Sequence, residues 1–196
     1  MNSKPDKRRV GVFAGAFDPI HDGHLEVARE AIKYLELDEL VFMVEAEPWG
    51  AKKPAALNHR QEMVRLAIAQ DRKMSLLELT DARFTIDKTL PKIEQQFTDS
   101  ELYFIFGADV FLNMNIKQWP DLPLLLEHYL VIFERGALTE IDIARHAKEL
   151  GISIAILAST HPHHRSSNVR LKSYNKALWV PASVAKYIEA CGLYGV

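Results

Sequence analysis

Two short stretches of this 196-residue chain carry most of the side chains that could do chemistry. The first is Gly15-Ala16-Phe17-Asp18-Pro19-Ile20-His21-Asp22-Gly23-His24. Two imidazoles three positions apart at a helix start face roughly the same way, so both can donate to one anion. Gly23, between them, leaves room for a phosphate or a nucleobase to approach the backbone. The second stretch is Arg165-Ser166-Ser167-Asn168-Val169-Arg170. Hydroxyls and backbone amides at a helix N-terminus, with an arginine one turn on, make a phosphate cradle. Taken singly, each stretch is equally a plain turn or an ordinary capped helix. Together, near opposite ends of one chain, they read as two halves of a polyphosphate site.

Such groups need strands that end in small residues and helices that begin at once. Val10 to Phe13 is apolar and β-branched and runs into Ala14-Gly15-Ala16. Leu25, Ala28, Ile32 and Leu35 then recur at helical spacing, with Asp22 as the expected N-cap. Leu40 to Glu45 reads as the next strand. The loop from Ala46 to Leu57 holds Trp49, Lys52 and Lys53 and is long for a simple connection. Asn58 is expected to cap a helix running to about Asp71. Met74 to Leu79 is a strand, and Ile86 to Phe97 a helix that starts nearer Thr89 if Pro91 is to sit in its first turn. Glu101 to Phe106 is a strand ending in Gly107-Ala108-Asp109, followed by helical pieces broken at Pro120 and Pro123. Tyr129 to Phe133 and Ile152 to Leu157 read as strands, Glu140 to Leu150 as a helix. Ser159 to Arg165 reads as a polar loop, Ser166 opens a short helix, and Pro181 opens a last one ending before Gly192. Strands alternating with helices throughout predict a single α/β domain with a parallel sheet covered on both faces. Ligands of such sheets sit beyond the carboxyl ends of the strands.

Bulk properties narrow the field. A formal net charge of -2 makes no global case for nucleic-acid binding. The one cysteine, Cys191, excludes an internal disulfide framework. Lys4, Lys7, Arg8 and Arg9 precede too short an apolar run for a secretory signal, so residues 1–8 read as a frayed tail. The Leu122–Phe133 run is broken by Glu127 and His128 and is too short to span a bilayer. The expectation is a cytoplasmic protein with no membrane partner. The part-apolar C-terminal helix could pair with a second copy to make a homo-oligomer.

The first stretch resembles the GGTFDPxHxGH motif of the HxGH nucleotidylyltransferases, and within them is most similar to that of the bacterial nicotinate mononucleotide adenylyltransferases. The second is similar to their ISSTxIR motif, with Ser167 standing for the Thr and Arg165 where the family commonly has Ser. The resemblance implies a Rossmann-like doubly wound sheet of the nucleotidylyltransferase type. It implies an enzyme that transfers AMP from ATP to nicotinate mononucleotide and releases pyrophosphate, a step of NAD biosynthesis. It assigns His21, His24 and Arg170 to catalysis, and Gly15, Ala16, Phe17, Gly23, Gly107, Asp109, Ser166 and Ser167 to ATP. Gly107-Ala108-Asp109 and Trp119 match the family's GxD…W segment, where the Trp stacks on the acceptor's pyridine ring. Trp119 beside Pro120 also suits a core.

Lys52 and Lys53 stand where the family has a basic PPHK-like loop, although only the charge is kept. Arg135 matches an arginine that could serve phosphate. The family's Ser-Tyr-Thr segment, which helps to recognise nicotinate, is replaced here by Phe84-Thr85-Ile86-Asp87-Lys88-Thr89-Leu90. The acceptor could therefore be nicotinamide mononucleotide or phosphopantetheine, and a nucleotide-binding regulatory protein without turnover stays open. An acceptor phosphate is already anionic, so catalysis needs positioning and charge neutralisation more than proton transfer. Mg²⁺, bound mainly through the ATP phosphates, completes the expected set. His161, His163 and His164 form a cluster whose spacing around Pro162 suits no helix-based zinc site, and no cysteine joins them; a loop lending charge to the polyphosphate and a solvated loop fit it equally.

Overall fold

The expected strands are apolar at nearly every position because each is covered on both faces. The computed structural model describes residues 7–48, 53–79, 81–115, 117, 119–134, 138–157 and 179–195. Among them six strands form one sheet: β1 (Arg8–Gly15), β2 (Glu39–Val44), β3 (Met74–Leu77), β4 (Ser100–Gly107), β5 (Tyr129–Phe133) and β6 (Ile154–Leu157). Their order is β3-β2-β1-β4-β5-β6 and every neighbouring pair is parallel. The described helices are α1 (Asp22–Tyr34), α2 (Leu57–Ile68), α3 (Thr89–Gln96), α4 (Ala108–Phe111), α5 (Leu122–Leu125), α6 (Glu140–Leu150) and α7 (Ala182–Ala190).

The strand period of two sorts the side chains between two cores. Phe13, Phe42, Ile105, Val131 and Leu157 point to one face, where α1, α2 and α7 supply Leu25, Ala28, Met63, Val64, Val184 and Ile188. Val12, Val41, Met43, Phe104, Phe106 and Ile132 point to the other, against Leu90, Ile93, Phe111, Leu122, Leu125 and Ile143. This is the doubly wound arrangement the alternation of elements predicts.

Several local expectations are corrected. Arg8 belongs to no frayed tail: it opens β1 opposite Ser100 and pairs with Glu39 at 2.6 Å. The cap of α1 is His21, not Asp22, which occupies the first helical position; there its carboxylate still faces the positive end of the helix dipole. Asn58 lies inside α2, whose cap position is held by Ala56. The reason is tertiary: the guanidinium of Arg60 grips the Ala55 carbonyl at 2.8 Å and fixes the helix entry without a side-chain cap. That helix ends at Ile68, short of Asp71. Thr89 does open α3, which puts Pro91 in the first turn, where a missing N–H leaves no ladder bond unmade. Val184 and Ile188, the apolar positions of α7, are fully buried in the chain's own core. They are not on offer to a second copy. No described helix is long and apolar enough to cross a membrane.

Candidate functional site

The ladder between β1 and β4 stops at Phe13 and Ile105, although the strands run on to Gly15 and Gly107. Each strand keeps its outer neighbour to the end, Gly15 beside Val44 and Gly107 beside Phe133. The two central strands therefore part at their carboxyl ends. Sequence order also reverses between them, so this crevice is the topological switch point of the sheet. Both small-residue turns that the sequence singles out open onto it.

On the β1 side the chain turns through Ala16, Phe17, Asp18 and Pro19 into α1. Phe17 has φ 43°, a left-handed conformation that is unusual for a bulky residue. Its ring is only 2% exposed and packs edge-on against His24 at 5.1 Å and Phe13 at 5.3 Å. Of the residues expected at ATP, Phe17 can thus offer its backbone alone; its side chain supports a histidine. Gly15 is small for the same reason, since a Cβ there would lie 3.3 Å from the Phe17 ring. Gly23 is buried within the first turn of α1.

His21 and His24 stack with ring centroids 3.6 Å apart and planes 24° from parallel. The Nδ1 atom of His24 accepts the backbone N–H of His21 at 3.2 Å, which orients that ring and directs its other nitrogen away from the backbone. His21 is buried and His24 half-buried. The two imidazoles lie together at a helix N-terminus, with the ring nitrogens of His21 buried and His24 the more open to a ligand.

On the β4 side, Phe84, Thr85, Ile86, Asp87, Asp109, Val110, Asn113, Trp119, Pro120 and Asp121 line a cavity of about 710 Å³, within the usual range for a small-molecule site. Phe84, Thr85, Asp109 and Trp119, singled out from three separate stretches, therefore meet in one place. Phe84 packs on Phe104 and Phe106 at 5.5 and 5.9 Å, which makes it a wall. The Thr89 hydroxyl shapes the approach, accepting the Thr85 N–H at 3.1 Å and donating to the Arg83 carbonyl at 3.0 Å. The Thr85 Oγ1 atom is buried with no hydrogen-bond partner among the described residues. Three carboxylates, Asp87, Asp109 and Asp121, give the lining an acidic character.

Two further polar residues, one buried and one half-buried, have roles at the site that the sequence does not disclose. Arg60 is 1% exposed and donates to four backbone carbonyls, those of Ala16, Glu45, Ala46 and Ala55. Burial pulls its pKa below the ordinary arginine value, opposed by the charge of Asp18 nearby. An arginine in an amphipathic helix carries no mark of facing inward, and its partners are carbonyls without sequence identity. Glu45 is the other. Its Oε1 accepts the Phe84 N–H at 2.9 Å, and its backbone N–H donates to the Gly15 carbonyl at 3.0 Å. One residue thus touches both the phosphate turn and the cavity. Burial raises its carboxyl pKa, against the Phe84 hydrogen bond and the charges of Arg83 and Arg60.

Lys53 is exposed beside the loop. Lys52, Arg135, Arg165, Ser166, Ser167, Arg170 and the histidines at 161, 163 and 164 lie outside the described residues.

Comparison with known proteins bears on the same region. A sequence model of the cytidylyltransferase-like family matches residues 12–172. A Thermus thermophilus protein named "Probable nicotinate-nucleotide adenylyltransferase" is 34% identical, over 95% of this chain and 99% of its own length. A Clostridium botulinum protein of the same name is 32% identical, over 95% and 98%. Among solved structures, the Plasmodium falciparum nicotinic acid mononucleotide adenylyltransferase complexed with NaAD superposes with a TM-score of 0.77 at 19% identity, over 95% of this chain and 97% of that one. Its complex with APC gives a TM-score of 0.75.

Proposed function

This chain is a nucleotidyltransferase of the cytidylyltransferase-like family, and on that premise we propose that it transfers AMP from ATP to nicotinate mononucleotide, forming deamido-NAD and pyrophosphate in NAD biosynthesis. The observation that carries the reading is the convergence at the switch point. A stacked histidine pair at a helix N-terminus lies on one side, and a cavity walled by Phe84, Thr85, Asp109 and Trp119 on the other.

In this scheme an oxygen of the acceptor phosphate attacks the α-phosphorus of ATP, and the bond from that phosphorus to the bridging oxygen breaks. His24 and His21 are assigned to the phosphates, and the positive end of the α1 dipole favours the negative charge that collects on the leaving pyrophosphate. Ser166, Ser167 and Arg170 are assigned to the far side of the polyphosphate. Trp119 supplies a plate for the cationic pyridine ring, and a ring carrying positive charge is favoured among Asp87, Asp109 and Asp121. Thr85 Oγ1, buried and without a described partner, supplies a hydroxyl for the ring substituent. Lys52, Lys53 and Arg135 are assigned to the acceptor phosphate. Mg²⁺ would enter on the ATP phosphates and neutralise charge there. The proposed setting is the cytoplasm.

The acidic lining favours one second reading. Among the described lining residues there is no lysine or arginine to meet a nicotinate carboxylate, so the neutral amide of nicotinamide mononucleotide is the alternative acceptor. The test is pyrophosphate release from ATP and Mg²⁺ with nicotinate mononucleotide, nicotinamide mononucleotide and phosphopantetheine in parallel. The expected result is turnover with the first and kcat/KM at least ~100-fold lower with the others. Preference for nicotinamide mononucleotide would move the assignment to the amide, and ATP binding without turnover on any acceptor would leave a regulatory protein.

A further inference from the structure

We propose that Arg60, Asp18 and Tyr194 form a brace that positions the histidine turn, which makes a tyrosine at the C-terminal end of the chain a positioning residue for AMP transfer. The brace itself rests on geometry; its kinetic consequence rests on the adenylyltransferase reading above.

The turn needs holding. Phe17 sits at φ 43°, and a bulky residue persists there only where its surroundings over-determine it. The surroundings are three groups. Arg60 spreads its planar fork across the base of the turn: Nη1 donates to Ala16 O at 2.8 Å and Glu45 O at 2.6 Å, Nη2 to Ala46 O at 3.0 Å, and Nε to Ala55 O at 2.8 Å. One side chain thus ties the end of β1, the exit of β2 and the entry to α2. Asp18, inside the turn and 1% exposed, accepts the Ala55 N–H at 3.1 Å on Oδ1. The same oxygen accepts the Tyr194 hydroxyl at 2.6 Å, a contact between residues 176 positions apart. Tyr194 is itself at φ 60°, so left-handed residues lie at both ends of this link. The C-terminal segment touches the turn a second time, where the Asp22 N–H donates to the Trp179 carbonyl at 2.9 Å.

These contacts fall on the segment that carries His21 and His24. A buried arginine facing carbonyls is a costly way to stabilise a core, since burying charge and apolar packing often come out equal in stability. What a rigid fork supplies is fixed geometry. Donors that act in a transition state must be held in place, and displacement of about 1 Å can cost ~100-fold in rate.

Tyr194→Phe removes one hydroxyl and leaves the ring. It is expected to lower kcat about tenfold while KM for ATP and for the acceptor stays within about twofold, the split of a contact effective only in the transition state. Asp18→Ala, which removes the shared acceptor, should lower kcat further, and the Asp18→Ala/Tyr194→Phe double variant should be no slower than Asp18→Ala alone, because the tyrosine acts through Asp18. Hydrogen exchange gives a readout independent of catalysis: in Tyr194→Phe the amides of residues 16–24 should exchange about tenfold faster than in wild type, with those of residues 140–150 unchanged. Unchanged exchange in the turn overturns the brace. Faster exchange with kcat within about twofold of wild type overturns its service to the reaction, and additive effects in the double variant overturn the route through Asp18. Wild-type protein that turns over none of the three acceptors refutes the adenylyltransferase reading instead, and the brace is then decided by exchange alone.

Discussion

The phosphate turn between Gly15 and His24 and the cavity between Phe84 and Asp121 lie at the ends of adjacent strands, yet they are built differently. The turn is dense. Its aromatic rings interlock from Phe13 through Phe17 to His24, its carbonyls are gripped by Arg60, and Asp18 closes it against Ala55 and Tyr194. The cavity is open and is assembled from short pieces, the four-residue helix α4, the segment at 84–87 and Trp119 ahead of α5. Its wall carries a buried hydroxyl without a described partner, whereas the turn's carboxylate is bonded twice through one oxygen. A group that must meet transition-state charge is held rigidly, because electrostatic preorganisation acts only when its donors need not move. A pocket that binds a flat ring works through area and stacking, which tolerate more variation in the residues around it.

Substitutions on the two sides should therefore separate cleanly. The largest effect is expected from His24→Ala. It removes a donor aimed at charge that develops during transfer, so kcat for pyrophosphate release should fall ~100-fold or more. Near-normal turnover would take His24 out of the mechanism. A smaller effect with a different signature is expected from Trp119→Ala. Loss of a stacking plate should raise the acceptor KM about tenfold and leave kcat and the ATP KM near wild type. If initial rates show kcat falling instead, Trp119 belongs with the turn and the contrast fails.

Glu45 joins the two regions and should give the smallest effect. Its carboxyl pKa is raised by burial, so the folded protein holds that proton more tightly than the unfolded chain does. The stability it contributes is present at low pH and is lost as pH rises from the ordinary carboxylate value through the raised one. Glu45→Gln keeps an acceptor for the Phe84 N–H and removes the titration. Across that window the variant's Tm should gain ~3 °C on wild type, with a constant gap above it. Parallel Tm–pH curves in a thermal melt series would show that Glu45 is not the titrating group.

How far the sequence could be read depended on the range of the interactions. The boundaries of α6, Glu140–Leu150, were legible because both signals are local. Thr139 and Asp142 exchange hydrogen bonds at its start, and Gly151 takes φ 69° at its end. The start of α2 carries no such local signal, because Arg60, four residues beyond Ala56, sets it through contacts with other segments of the chain. The C-terminal helix read as apolar without showing that Val184 and Ile188 join Met63 and Val64 in the core rather than a partner.

The sequence by itself determined the class of fold and the chemistry of the turn. Strand periodicity, small residues at strand ends and two histidines at a helix start are short-range facts that survive in any packing of the chain. Only the tertiary structure decided where those residues stand relative to one another. The parting of β1 from β4, the meeting of Phe84 with Trp119, the inward turn of Arg60 and the closure of Tyr194 on Asp18 all join residues far apart in the chain. No local propensity encodes such contacts; they exist because two apolar faces of one sheet must both be covered, and covering them brings those residues to the same end of the strands.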